Sequence, residues 1–204
     1  MGFFSNLFGK EQREVMTMTK ENIKIAFVIG SNRNGRNAEQ VAKYVYEKAL
    51  ARNDEGVTYE LVDIADYDLA FLYDAKTTET QQAAAKAWSE KMASFDGFVF
   101  VTPEYNHAPG AALKNAIDYL NAEVNNKAAG FVGYGSLGGT RAHEQLRLIL
   151  AELQVATVRT AVTFSLMADF ENMSEFKPAA YHDENINGML DQLINWSRAL
   201  KTVR

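Results

Sequence analysis

Residues 23–50 read IKIAFVIGSNRNGRNAEQVAKYVYEKAL. The first seven, Ile23 to Ile29, are apolar except for Lys24 and rich in β-branched and aromatic side chains, as in a strand covered on both faces. From residue 38 the pattern changes. Val41, Ala42, Val45 and Ala49 recur at helical spacing, which predicts a helix over 38–50. Eight polar or small residues, 30–37, join the two. A buried strand, a short polar loop and an amphipathic helix make the first half of a βαβ crossover, so the chain opens into a parallel sheet.

The same alternation continues outward. Apolar runs predict strands over 57–64, 95–101, 128–134 and 155–164, and helical patterns cover 80–93, 111–121, 141–153 and 186–200. Strand then helix, five times, predicts an α/β fold: a three-layer α/β/α sandwich around a five-stranded parallel sheet with right-handed crossovers. Trp88 and Trp196 fall on helices and read as packing or interface residues. Residues 1–20 carry Phe3, Phe4, Leu7 and Phe8 ahead of a polar run; they read as a poorly ordered N-terminal extension, with 21–204 as one domain.

Composition narrows the function. The chain has 204 residues, 47% of them hydrophobic, enough for a core without staples. Twenty-six Asp and Glu against 21 Lys and Arg leave a net charge of −5, which argues against nucleic-acid binding through a basic face. There is no cysteine, hence no disulfide, thiolate nucleophile or Cys-ligated metal, in keeping with a reducing cytoplasm. No apolar run approaches a membrane span. Asp63, Asp66, Asp68 and Asp74 are unevenly spaced and read as a solvated acidic rim. No metal site is expected, at His143 and His182 included.

In an open parallel sheet ligands bind beyond the carboxyl ends of the strands. The loop after strand one, Gly30-Ser31-Asn32-Arg33-Asn34-Gly35-Arg36-Asn37, offers a hydroxyl, amides, two guanidinium groups and a helix N-terminus, a fit for phosphate. It is neither a Walker A loop nor GxGxxG. Asn37 is a possible helix cap. Arg36, at a helix start, opposes the dipole unless an anion is bound. The loop after strand three, Thr102-Pro103-Glu104-Tyr105-Asn106-His107-Ala108-Pro109-Gly110, holds two of the chain's three prolines and suits a planar ring beside a stacking side chain. Glu104 reads as a salt-bridge partner rather than a catalytic acid, and His107 as a surface histidine. After strand four, Gly133, Gly135, Gly138 and Gly139 would let backbone approach a ligand. Arg141 follows at a helix start, free or facing a phosphate or carboxylate.

The segments GSNRNGRNAEQVA, TPEYNHAPGAALKNAIDYL and GYGSLGGTRAHEQLRLIL together resemble the NAD(P)H-dependent FMN reductase family of the flavodoxin-like fold, which includes quinone, chromate and azo-dye reductases. The resemblance covers roughly residues 23–164. It implies strand order 2-1-3-4-5 and FMN as cofactor, with NADPH or NADH as co-substrate. By the same resemblance Ser31, Arg33, Arg36, Asn37 and Ala38 would hold the FMN phosphate. Pro103, Glu104, Tyr105 and Asn106 would line the ribityl chain and isoalloxazine, and Gly135, Ser136 and Gly138 the other ring edge. Many members carry a second serine after Gly-Ser-x-Arg, and here Arg36 stands near that position. A homodimer or homotetramer with the flavin near the interface is implied too.

The implied reaction is ping-pong: hydride passes from nicotinamide to flavin N5 and then to a quinone-like, azo or other small electron acceptor, or to free FMN. The cofactor carries that chemistry, so no side-chain nucleophile or base is assigned; Tyr105 and His107 are the nearest candidates. Two other readings use the same loops. One is a flavodoxin-type electron carrier, against which Arg33 and Arg36 weigh. The other is a flavin redox sensor.

Overall fold

The computed structural model describes residues 21–204; the expected extension at 1–20 lies outside them. The elements run β1 Ile23–Ile29, α1 Ala38–Ala51, β2 Val57–Asp63, α2 Glu79–Ala93, β3 Gly97–Tyr105, β4 Ala108–Pro109, α3 Ala111–Asp118, β5 Ala128–Gly135, α4 Thr140–Glu152, β6 Ala156–Thr157, β7 Val162–Ser165, β8 Phe170–Glu171, β9 Glu175–Phe176 and α5 His182–Lys201. Strands β2, β1, β3 and β5 pair in that order, all parallel, and β6 and β7 share the outer edge of β5. Counting that edge as one position gives the expected order 2-1-3-4-5.

Alternation along β1 builds the layers. Ile23, Ile25, Phe27 and Ile29 pack with Val41 and Val45 of α1 and Met189, Leu190 and Leu193 of α5. Ala26 and Val28 face the opposite way, toward Trp88 and Met92 of α2, Leu113 and Ile117 of α3 and Leu146 of α4. Period two places successive side chains on opposite faces, so an apolar run feeds two cores at once. Trp88 is fully buried, as a packing residue should be, and its Nε1–H donates to Ala116 O at 2.7 Å. Trp196 stays 45% exposed. A reciprocal cap between Thr78 and Gln81 starts α2 one residue earlier than periodicity predicts.

Three expectations need correction. The sheet has seven strands, not five, and is not wholly parallel, because β4 turns back antiparallel on β3. Strand three therefore runs four residues past Val101, through the segment expected to be loop. Third, the run 155–164 is two strands. Ala128 pairs with Ala156 and Val132 with Val162, so four steps along β5 match six along its partner, and two residues loop out. The displaced backbone is satisfied by side chains: Arg147 donates to Val158 O at 2.8 Å and Arg159 O at 3.2 Å, and Thr160 N donates to Gln192 Oε1 at 3.0 Å.

Candidate active site

The loops after β1, β3 and β5 meet at the carboxyl edge of the sheet. Gly30 N donates to Val101 O at 2.8 Å, tying the first loop to β3. Gly135 lies against Glu104, with 3.3 Å from its would-be Cβ to Glu104 Cβ. Ser31 is buried. Ala38 is buried as the first residue of α1, while Arg33 is exposed. A cleft of about 290 Å³ opens among Asn32, Arg33, Gly35, Arg36, Glu39 and Ala65. A larger cavity of about 620 Å³ lies at the opposite edge of the sheet, beside Asp96, Lys127, Lys201 and Arg204. Its charges are engaged internally: Lys201 and Arg204 pair with Asp96, and Lys127 donates to the Met92 and Ala93 carbonyls.

The two loop arginines differ. Arg36 donates to Ser31 O at 2.6 Å and is ion-paired with Asp63, with Glu39 at 3.9 Å. Its conflict with the helix dipole is thus settled inside the protein, without an anion. Asp63 is no rim residue; it holds Arg36 and also accepts from Ala65 N at 2.9 Å. Arg33 has no carboxylate partner among the described residues. Its guanidinium rests on the loop's own carbonyls, Asn34 O at 3.2 Å and Gly35 O at 3.1 Å. Asn37 does not cap α1: its side chain accepts from Gln40 at 3.2 Å and donates to Met173 O at 3.0 Å. The first turn of α1 has no cap from the Asn37 side chain, and it lies next to a cation without a counter-charge among the described residues. That arrangement fits a phosphate.

On the second wall, Tyr105 pairs with Ala108 and Glu104 with Pro109 across a two-residue turn. Asn106 and His107 both have positive φ, 49° and 66°, so the turn is type I′ built without glycine. Pro103 is buried below it, and Tyr105 stands 48% exposed at the rim. The Glu104 side chain, 5% exposed, accepts from Arg141 N at 3.0 Å and Arg141 Nε at 2.5 Å. Arg141 Nη1 meets His107 Nε2 at 2.7 Å, and since a guanidinium only donates, Nε2 is the acceptor. The salt-bridge reading of Glu104 therefore holds, with its partner in the same chain.

The third wall is closely packed from within. A Cβ on Gly133 would lie 2.4 Å from His143 Nε2 and 2.6 Å from Gly138 O. Gly138 and Gly139, at φ +70° and +80°, press on Thr163 and on Gly133. Close packing within the protein is enough to require glycine at these three positions. Ser136 is exposed, and Gly135, beside Glu104, has the mildest constraint.

Tyr134, which periodicity assigns only to the strand end, joins the walls. Burial pushes its phenol up, Tyr105 adds to this, and Arg33, the Ala38 backbone N–H and Arg36 pull it down. One buried hydroxyl thus senses both arginines, the start of α1 and the ring wall. The signal for it was its place at the carboxyl end of a central strand.

His143 is buried behind the third wall, stacked on Phe131 at 5.5 Å, with no partner for Nε2. Burial, reinforced by Arg147, pushes its imidazole down to about 4. The unfolded chain takes up this proton near its ordinary value of 6.5, so stability is lost as pH falls from there toward 4. The loss reaches about 3 kcal/mol. A His143→Leu variant is expected to flatten this limb in urea titrations at pH 7 and pH 4.5. Equal acid sensitivity in both proteins would refute the assignment.

A sheet whose main strands are parallel in order 2-1-3-4-5, with a phosphate-fitting loop after its first strand, defines a flavodoxin-like protein. Residues 23–169 match the model of the NADPH-dependent FMN reductase family. The chain belongs to that family and is an oxidoreductase; FMN and a reduced nicotinamide are the cofactors this membership carries. It is 35% identical over 151 residues to an NAD(P)H-dependent FMN reductase of Schizosaccharomyces pombe, covering 72% of this chain and 74% of the relative. To a quinone reductase of Escherichia coli it is 32% identical over 139 residues, covering 65% and 72%. In structure it is similar to FerB, an NAD(P)H:(acceptor) oxidoreductase from Paracoccus denitrificans. The TM-score is 0.66 at 20% identity, over 87% of this chain and 98% of that one. No helix among the described residues is long and apolar enough to cross a membrane.

Proposed function

We propose that this chain holds FMN across the three loops and uses it to oxidise NADPH or NADH, delivering the electrons to a small acceptor of quinone or azo type or to free FMN. The observation that carries the proposal is Arg33, a cation without a carboxylate partner among the described residues, beside a start of α1 that Asn37 does not cap. Ser31, Asn37, Ala38 and Arg33 would bind the phosphate, while Arg36, held by Asp63, fixes the loop's shape. Pro103, Glu104, Tyr105 and Asn106 would present the hairpin as a flat wall for the ring system. Gly135, Ser136 and Gly138 would form the facing edge, where backbone N–H groups favour negative charge. Bound FMN supplies reversible hydride chemistry at its N5 atom.

No proton-transferring side chain is needed from the protein, whose part is to position, to neutralise the phosphate and to keep the ring edge in a polar cradle. A homodimer or homotetramer and a cytoplasmic setting belong to the same proposal, supported by the family and by the cysteine-free composition. The test is the visible spectrum of the purified protein after FMN addition, followed by anaerobic mixing with NADPH and with NADH. Flavin absorption that bleaches with a nicotinamide and recovers on adding a quinone is expected. A protein that stays colourless overturns FMN binding. One that binds FMN but is bleached by neither nucleotide is a carrier instead.

A further inference from the structure

The segment after β7 is tied down at both ends, and one end is the start of α1. At its tip, Asn172 and Met173 turn the chain between β8 and β9 with φ of 51° and 56°. The tip reaches across to the candidate phosphate loop. Gln40 Nε2 donates to Ser174 O at 2.6 Å, Gln40 Oε1 accepts from Phe176 N at 3.1 Å, and Asn37 Nδ2 donates to Met173 O at 3.0 Å. Gln40 thus uses both ends of its amide to bind the hairpin backbone, more than 130 residues away in sequence.

The base of the hairpin is held by a buried polar pair. Asp169 and His182 are 1% and 2% exposed, and His182 Nε2 meets Asp169 Oδ1 at 2.7 Å. Asp169 Oδ2 also accepts from Ser165 N at 2.8 Å, and its carbonyl accepts from Lys177 N at 2.8 Å. His182 Nδ1 is buried without a partner, so the Nε2 proton is the one with an acceptor. The carboxylate is therefore bound to the end of β7 and to the start of α5, while the Asp169 backbone carbonyl holds the residue after β9. Burying a pair this completely is costly, the more so with His182 Nδ1 unpartnered, and what it serves is to hold one arrangement in place.

We propose that the β8–β9 hairpin is a retaining wall for the phosphate end of the cofactor, with Gln40 its positioning residue, and that it slows the release of FMN. This rests on the FMN reading above. The hairpin supplies no charge to the phosphate; it acts by fixing Asn37 and the first turn of α1, whose N–H groups are the donors. A helix start held from outside keeps those donors aligned while the site is empty, so less ordering is lost on binding and escape is slowed.

The test is Gln40→Ala. FMN dissociation, followed by the rise in flavin fluorescence on dilution, is expected to be about tenfold faster, the effect of one or two net hydrogen bonds. The association rate should move little, and the urea midpoint of the apoprotein should fall by no more than the loss of those bonds accounts for. Hydrogen exchange should quicken at 170–176 and in the first turn of α1. A merely destabilising change would shift the urea midpoint and leave the dissociation rate alone. Wild-type release rates in a variant whose hairpin has loosened would overturn the proposal, and so would a hairpin that stays fully protected. Asp169→Asn, loosening the base, should quicken release in the same direction. If the wild-type protein takes up no FMN, the prior reading fails; if it does and Gln40→Ala releases it at the wild-type rate, only this one fails.

Discussion

Gly30→Ala is expected to cost about 3 kcal/mol of stability and to abolish retention of FMN, because the methyl group has nowhere to go. A Cβ there would lie 2.5 Å from Val101 O and 2.8 Å from Leu113 Cδ2. The leucine tip can shift, but the carbonyl belongs to β3, the central strand, and already accepts from Gly30 N at 2.8 Å. Relief requires the first loop to part from the strand that carries Pro103 and Glu104, which moves the phosphate wall away from the ring wall. Gly35→Ala is the control. Gly35 has φ +66° with nothing within 4 Å of its would-be Cβ, so alanine there meets only left-handed strain of about 1 kcal/mol. Urea midpoints and FMN titration of both variants decide the matter. If Gly30→Ala costs no more than Gly35→Ala, close approach is not what glycine supplies at position 30.

What a reader of the chain alone can extract follows from which forces are local. The layered parallel sheet is legible because burial on both faces leaves near-continuous apolar runs, and because crossover helices carry their own period. The three loops are legible because switch-point geometry says where to look. What escapes is set by distant partners. Thr102 to Tyr105 reads as loop because Pro103 lies within it and Pro109 follows closely, yet Pro109, lacking an N–H, is tolerated on the two-residue edge strand β4. The hairpin signal is masked because Asn106 and His107 make a type I′ turn without glycine. Arg36 looks committed to an anion until Asp63, 27 residues on, neutralises it. The glycines at 133, 138 and 139 read from sequence as room for a ligand alone, and the packing of His143 and Thr163 that also requires them comes from residues distant in sequence. Residue types announce the chemistry a loop can do; whether that capacity is already spent on the protein depends on contacts remote in sequence.

Glu104→Ala is expected to cost about 3 kcal/mol and to weaken FMN binding by at least tenfold, because Glu104 does two jobs for another element. Helix α4 begins after Gly139, which has no side chain to cap it. The carboxylate of Glu104, reaching over from β3, accepts from Arg141 N at 3.0 Å and so caps the helix from outside. The same carboxylate binds the Arg141 guanidinium, which explains how a cation is tolerated at a helix start. With its side chain 5% exposed, Glu104 is little screened by salt, whereas Arg141 at 38% can return to water once released. Truncation therefore leaves an uncapped helix and separates the ring wall from the third loop. Glu104→Gln keeps the shape and loses the charge, so its cost should fall between wild type and alanine. A double-mutant cycle with Arg141→Ala should give a coupling of about 1–3 kcal/mol, nearly unchanged between low and high salt. A loss below 1 kcal/mol in Glu104→Ala, or coupling that vanishes with salt, would make the pair a surface contact and remove the reason for joining these two walls into one site.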